Sequence, residues 1–353
     1  MGSVIIGTGA AIPERVVTNH DLTRVIDTSD EWIVSRTGVR QRHFAPPGTG
    51  SSDLAAHAVT NAITDAGIEP GDVDALVTAT MTPDRYAPGI AGAVQRKAGL
   101  GHVGVFDLRQ QCAGFLYGLD LADMLLATGR ARTVVVVGAE THAGYLPWGD
   151  SWQVLLGASD DPITPDQQAI NDATRGWTVL FGDAGAAMVL TASPADGGIL
   201  GSTLHTDGDF DELITVPGLG FARQPFADAA QIAAGLHLPQ MDGGGLFRQA
   251  VRLMPEAIET VAARIEVKVG DFDLIIAHQA NGRIVEAMSR RLDIDADKVP
   301  MNMDRYGNTT AATIPLLFHE MRQAGRVSPG GLVAFAAFGA GAHWGAIAYR
   351  QPS

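Results

Sequence analysis

Apolar residues along this chain gather into short continuous runs, separated by stretches in which they recur every three or four positions. Residues 4–9, 74–79, 103–108 and 133–138 read as buried strands, and 52–66, 89–98 and a segment from Cys112 to about Gly129 read as helices between them. The second half repeats the pattern, with helices over 246–265, 282–292 and 310–324, a strand over 274–277 and a closing strand pair within 332–350. Such alternation predicts an α/β protein with a mostly parallel sheet and helical crossovers.

The repetition extends to register. IEPGDVDALVTAT (68–80) aligns with IEVKVGDFDLIIAHQ (265–279), RTVVVVGAE (132–140) with GGLVAFAAFG (330–339), and DAGAAMVLTAS (183–193) with AHWGAIAYRQ (342–351). The first two pairs stand 199 and 198 residues apart (273 − 74 and 332 − 134), which argues for two αβ halves, 1–195 and 196–353, joined near 192–198. The segment 144–176 has no counterpart in the second half and is expected to be a cap or an interface element.

Composition narrows the class. Of 353 residues, 46% are hydrophobic and 18% charged, with mean hydropathy +0.10, which excludes a disordered or coiled-coil chain. The net charge of −14 leaves no global basic field for nucleic acid or an anionic membrane. Glycine and histidine interrupt the long apolar stretch 332–348, so it reads as a buried hairpin and not as a membrane span, and no targeting segment is visible. A single cysteine, Cys112, permits no intrachain disulfide and suits a reducing cytoplasm.

That cysteine follows the apolar run 103–108 after only RQQ and opens a helical stretch. There the positive end of a helix dipole and unsatisfied N–H groups favour thiolate, and Ala113 and Gly114 allow a sharp turn beneath it. A buried core cysteine fits the same position. His278 ends LIIAHQ, where parallel strands face ligand crevices, and Asn308 lies in RYGNTTAAT just ahead of a helix. Taken singly, they read equally as a hydrogen-bonded core histidine and a helix cap. If the halves pack about a pseudo-dyad, Cys112 and Asn308 occupy equivalent strand-to-helix turns, and a Cys/His/Asn cluster follows.

Five ordered segments, DTSDEWIVSRTGVRQRH (27–43), CAGF (112–115), FGDAGAA (181–187), HQAN (278–281) and RYGNTTAATIP (305–315), resemble the β-ketoacyl-acyl-carrier-protein synthase III family of condensing enzymes. The resemblance runs from about residue 4 to residue 350. It implies a thiolase-like fold, with two duplicated αβ halves in a layered αβαβα core. The implied reaction is a decarboxylative Claisen condensation of an acyl-CoA starter with malonyl-acyl-carrier protein. By resemblance, Cys112 takes up the acyl group, and the N–H groups of Cys112 and Ala340 form an oxyanion hole. His278 and Asn308 donate to the enolate, which requires a neutral His278 protonated on Nε2.

Trp32 and Arg36 share one face of a helix capped by Ser29; in the family the matching tryptophan and an arginine, here Arg175, sandwich the CoA adenine. Without the family, these residues read as a surface cation–π pair. Gly243 and Phe247, in MDGGGLFRQA, match the pantetheine tunnel. Arg248 and Arg283, part of an arginine group that includes Arg252, Arg290 and Arg291, match positions that dock the carrier protein. A homodimer is implied, with acyl-CoA as substrate and no cofactor. No Walker A, dinucleotide fingerprint or zinc spacing is present, so no metal is expected.

Three features depart from the family. Ala87 stands where relatives often place a bulky residue against the partner subunit's acyl pocket, so a longer or branched acyl group is expected. The 144–176 segment, with Trp148 and Trp152, reads as longer than usual and as a cover for the substrate mouth or an extension of the dimer contact. Ala342 and His343 replace an aromatic residue and threonine in the closing turn. Competing readings are a starter-unit acyltransferase or specialised-metabolism enzyme of the same fold, and a non-catalytic carrier-binding subunit. The enolate donors His278 and Asn308 argue against plain acyl transfer.

Overall fold

The computed structural model describes residues 2–193 and 197–353. Its principal elements are β1 (Gly2–Ala11), α1 (Ser51–Ala66), β2 (Ala75–Ala79), α2 (Ala91–Lys97), β3 (Gly104–Leu108), α3 (Gly114–Ala127), β4 (Thr133–Glu140) and β5 (Ala184–Ser193). The second half supplies β6 (Gly198–Thr206), α4 (Gly243–Arg264), β7 (Leu274–Ala277), α5 (Gly282–Leu292), α6 (Thr313–Gln323), β8 (Leu332–Gly339) and β9 (His343–Arg350). The boundary read between residues 195 and 196 lies outside the described residues.

The first sheet has the order β1-β5-β4-β2-β3 and the second β6-β9-β8-β7, so each half runs first strand, last strand, last but one, second. β2 pairs parallel to β4 with Ala75 opposite Val134, and β7 pairs parallel to β8 with Leu274 opposite Val333. Both partners shift by 199 residues (274 − 75 and 333 − 134), matching the first spacing read from the sequence and one more than the 198 read for the second. β3 extends only the first sheet.

Period-two alternation along β4 sorts its valines between layers. Val134 and Val136 join a central core with Phe115 and Leu119 of α3 and Ile314 and Phe318 of α6, while Val135 and Val137 pack outward with Ala55, Ala58 and Val59 of α1. Ile258, Val261 and Val285 of α4 and α5 cover the outer face of the second sheet against Ile275, Ala334 and Ala336. The layers therefore run helix, sheet, helix, sheet, helix, the αβαβα order expected, with α3 and α6 buried between the sheets.

Several expectations change in detail. The helix expected from Cys112 begins at Gly114, after a 3-10 turn over Gln111–Ala113; the helix expected from 310 begins at Thr313, after a 3-10 turn over Thr310–Ala312. α4 starts at Gly243, earlier than its apolar periodicity suggests, because Asp242 caps a first turn made of glycines by accepting from the Gly245 N–H at 2.9 Å. The 144–176 segment forms two helices, Ser151–Leu155 and Pro165–Thr178. Trp148 does not cover a mouth: it is fully buried in a satellite core, 5.8 Å from the ring of Phe44 and 5.1 Å from Trp152. β4 and β5 are joined by 141–183, whereas β8 and β9 are joined only by 340–342.

Candidate active site

Two turns with unusual backbone frame the site. Gln111 and Thr310 both carry positive φ, 51° and 45°, at the start of their 3-10 turns. They stand 199 residues apart (310 − 111), so the halves do bring equivalent turns together. In detail, Cys112 matches Ala311 and not Asn308, which lies three residues earlier on the same turn.

A cavity of about 760 Å³ is bordered by Cys112, His278, Asn308 and Ala340. Gly243, Phe247, Arg248 and Arg283 line it as well, with the Arg283 guanidinium 5.9 Å from the Phe247 ring centroid. Met81, Arg109, Gln111, Tyr145, Trp177 and Phe181 are also among the lining residues, so the 144–176 segment reaches the cavity through Tyr145, while Trp177 follows it directly. Trp32, Arg36, Arg175 and Ala87 do not border it.

The helix that carries Trp32 is nevertheless bonded to Asn281, which lines the cavity. Ser29 accepts from the Trp32 N–H at 3.1 Å to start the helix Asp30–Thr37, and the Asn281 amide donates to the Arg36 carbonyl at 2.8 Å, tying that helix to the HQAN turn. The guanidinium groups of Arg36 and Arg175 lie 4.7 and 4.8 Å from the Trp32 ring centroid. Ala87 lies on an exposed loop beside Tyr86, whose ring meets Phe221 and Phe226 at 5.2 and 5.5 Å.

The chemistry of each central group follows from its surroundings. His278 continues the β7–β8 pairing by one residue, its N–H donating to Ala336 at 2.8 Å, and its ring is buried with neither nitrogen hydrogen-bonded among the described residues. Burial lowers it to about 4 against the opposing Thr310 carbonyl, so the imidazole is neutral near pH 7. Asn308 Oδ1 accepts from the Thr310 N–H at 2.9 Å, which leaves Nδ2, a donor, without a partner among the described residues. The Asn308 N–H donates to Leu180 at 2.7 Å, and its carbonyl accepts from Gly182 at 3.2 Å, joining this turn to FGDAGAA. Asp183 of that motif is buried, accepts from the N–H groups of Ala45 and Ala143, and is raised by burial to about 7.

Cys112 departs from the expected thiolate. Burial and the charge of Glu140 push its thiol up to about 12, against its own backbone N–H. The α-helix starts two residues later, so the sulfur meets a 3-10 turn before any helix dipole. Glu140, which the sequence reading passed over, is fully buried at the end of β4. It accepts from Met81 and Thr82 N–H groups at 3.1 and 3.0 Å and from the Thr82 hydroxyl at 2.6 Å; burial raises its own carboxyl. Among the described residues no group of three or more His, Cys, Asp or Glu gathers as metal ligands would, and no helix is long and apolar enough to cross a membrane.

Comparison with known proteins places this arrangement. Family models for 3-oxoacyl-acyl-carrier-protein synthase III match residues 106–159 and 166–208, and for its C-terminal part residues 262–351. Only 160–165 of the segment read as unusually long falls between the matched stretches. The β-ketoacyl-acyl-carrier-protein synthase III of Symbiobacterium thermophilum is 40% identical over 346 residues, 98% of this chain and 97% of that protein. The 3-oxoacyl-acyl-carrier-protein synthase III structures from Aquifex aeolicus and Pseudomonas aeruginosa superpose with TM-scores of 0.84 at 35% identity. They cover 99% and 100% of this chain, and 100% and 99% of their own. With the layered thiolase-type fold, both family models and a full-length relative in agreement, the chain belongs to the 3-oxoacyl-acyl-carrier-protein synthase III family.

Proposed function

We propose that this enzyme condenses an acyl-CoA with malonyl-acyl-carrier protein, giving 3-oxoacyl-acyl-carrier protein, CoA and CO2 through acyl-Cys112. The observation that carries the reading is the sharing of one cavity by the chain's single cysteine and two donors of the kind an enolate needs.

Cys112 Sγ attacks the thioester carbonyl, the proton it gives up ends on the departing CoA sulfur, and one thioester replaces another at little cost. The N–H groups of Cys112 and Ala340 hold the oxyanion. Malonyl thioester then enters, its carboxylate leaves as CO2, and the bonding pair passes into an enolate whose oxygen accepts from His278 Nε2 and Asn308 Nδ2. A neutral imidazole suits this role, because an imidazolium would protonate and quench the carbanion. The enolate carbon attacks the acyl carbonyl, and collapse expels the Cys112 sulfur.

Trp32, Arg36 and Arg175 are assigned to the CoA nucleotide, Gly243 and Phe247 to the pantetheine arm, and Arg248 and Arg283 to the acidic carrier protein. The exposed edge strand β3 is assigned to a homodimer contact, Ala87 to the partner's acyl pocket, and the cytoplasm to the enzyme as its compartment. Incubation with acyl-CoA and carboxyl-labelled malonyl carrier protein tests the reading: labelled CO2 release should depend on acyl-Cys112. Acyl-Cys112 without CO2 release would leave an acyltransferase, and no acyl-Cys112 with any acyl-CoA would leave a binding subunit.

A further inference from the structure

Resting on that condensing activity, we infer that Arg109 binds a carboxylate carried into the cavity on a substrate acyl group. Three arginines border the cavity, Arg109, Arg248 and Arg283, and among the described residues no aspartate or glutamate does. Arg248 and Arg283 come from second-half helices; Arg109 comes from the first-half turn that carries Cys112. Its guanidinium has no ion pair or hydrogen bond among the described residues.

Arg109 is exposed, but its place on the turn is set by the duplication. The two turns match residue by residue: Gln110 (φ −80°, ψ 23°) with Thr309 (φ −93°, ψ 16°), Gln111 with Thr310 at positive φ, and the helix starts Gly114 with Thr313. One step earlier, at the same spacing (308 − 109 = 199), Arg109 is the counterpart of Asn308, and both border the cavity. The pseudo-dyad thus sets a carboxamide and a guanidinium at equivalent points of the two turns. A guanidinium keeps its charge at any working pH, and its fork fits a carboxylate. Arg109 itself is exposed, so it would meet the carboxylate at the cavity's rim, while Met81, Leu180, Phe181 and Phe338 line the same cavity.

Two sources carry this chemistry: the malonyl group before decarboxylation, and a starter whose acyl chain ends in a carboxylate. Charge leaves the malonyl carboxylate in the transition state, so a guanidinium there holds the ground state more than the transition state. A terminal carboxylate on the starter keeps its charge throughout, which makes it the better match.

The test compares the full-length enzyme with Arg109→Gln and Arg109→Lys, following acylation of Cys112 by glutaryl-CoA and pentanoyl-CoA with intact-mass spectrometry. KM for malonyl carrier protein and sedimentation are measured alongside. The glutaryl-to-pentanoyl ratio of kcat/KM should fall about 10- to 100-fold in Arg109→Gln, with part retained in Arg109→Lys. A rise in KM for malonyl carrier protein with that ratio unchanged assigns the carboxylate to the extender. If the wild-type enzyme condenses but both readouts ignore the substitution, the inference is overturned. Monomerisation with both unchanged makes Arg109 an interface residue and overturns it equally. A wild-type enzyme that acylates with no acyl-CoA refutes the condensing function itself.

Discussion

Gly339 lies against the backbone of Cys112: a Cβ on it would stand 3.0 Å from the Cys112 nitrogen and 2.8 Å from Ala113 N and Gln110 O. The end of β8 thus forms the seat of the nucleophile turn, and only glycine allows so close an approach. Gly339→Ala should cost about 1–3 kcal/mol from overpacking. It should also slow acyl-Cys112 formation by a larger factor than thermal stability implies, because backbone donors move with the turn. Intact-mass acylation rates alongside a melting curve check this, and normal acylation at lowered stability would show that the seat is only structural.

The Cys112 thiol, raised to about 12 by burial and Glu140, should react slowly with iodoacetamide at pH 8 and faster as pH climbs. Glu140→Gln removes a like charge, so its alkylation profile should shift to lower pH; burial, the larger cause, stays. A profile that is unmoved, or moved upward, contradicts the coupling.

His278 is lowered to about 4, so it stays neutral well below the ordinary histidine range. Decarboxylation measured on preformed acyl-enzyme should therefore hold its rate as pH falls through 6.5 and decline only toward the lowered value. His278→Ala should keep acylation of Cys112 but lose decarboxylation by about 100-fold or more. Equal loss in both half-reactions would remove His278 from the enolate site.

Much of this site was readable beforehand because strand-end chemistry and duplication leave marks in sequence. LIIAHQ ends a strand with His278 just beyond it, and the 199-residue spacing reappears in the paired registers of both sheets. What stayed hidden depends on turns and burial. A 3-10 turn at Gln111–Ala113 has no periodicity of its own, so the helix start was read two residues early and the Cys112–Asn308 equivalence three residues out of step. The raised thiol reflects burial first and then Glu140, which looks in sequence like the end of an apolar strand. Arg109 was within reach, since the offset that relates the halves carries Asn308 onto it.

Trp32 sits between the prediction of a nucleotide site and a plain cation–π cluster, and substrate truncation separates them. Arg175→Ala should raise KM for an acyl-CoA about tenfold while affecting the matching N-acetylcysteamine thioester, which lacks the nucleotide, far less. Equal effects on both thioesters would return the Trp32 cluster to a structural role.

The open edge of the first sheet argues for a second copy. β3 is short and exposed along 104–107, with Val105 and Phe106 at 37% and 38% exposure, and its outer backbone pairs with no described strand. An unprotected edge of this kind invites strand pairing, and antiparallel pairing across a two-fold axis would fuse two five-stranded sheets while satisfying both edges. Phe106→Asp would then place like charges near each other across the axis and remove apolar contact. Sedimentation should find the wild-type enzyme at twice the 37.0 kDa chain mass and the variant at or near one chain. A variant that remains dimeric at micromolar concentration would move the interface away from β3.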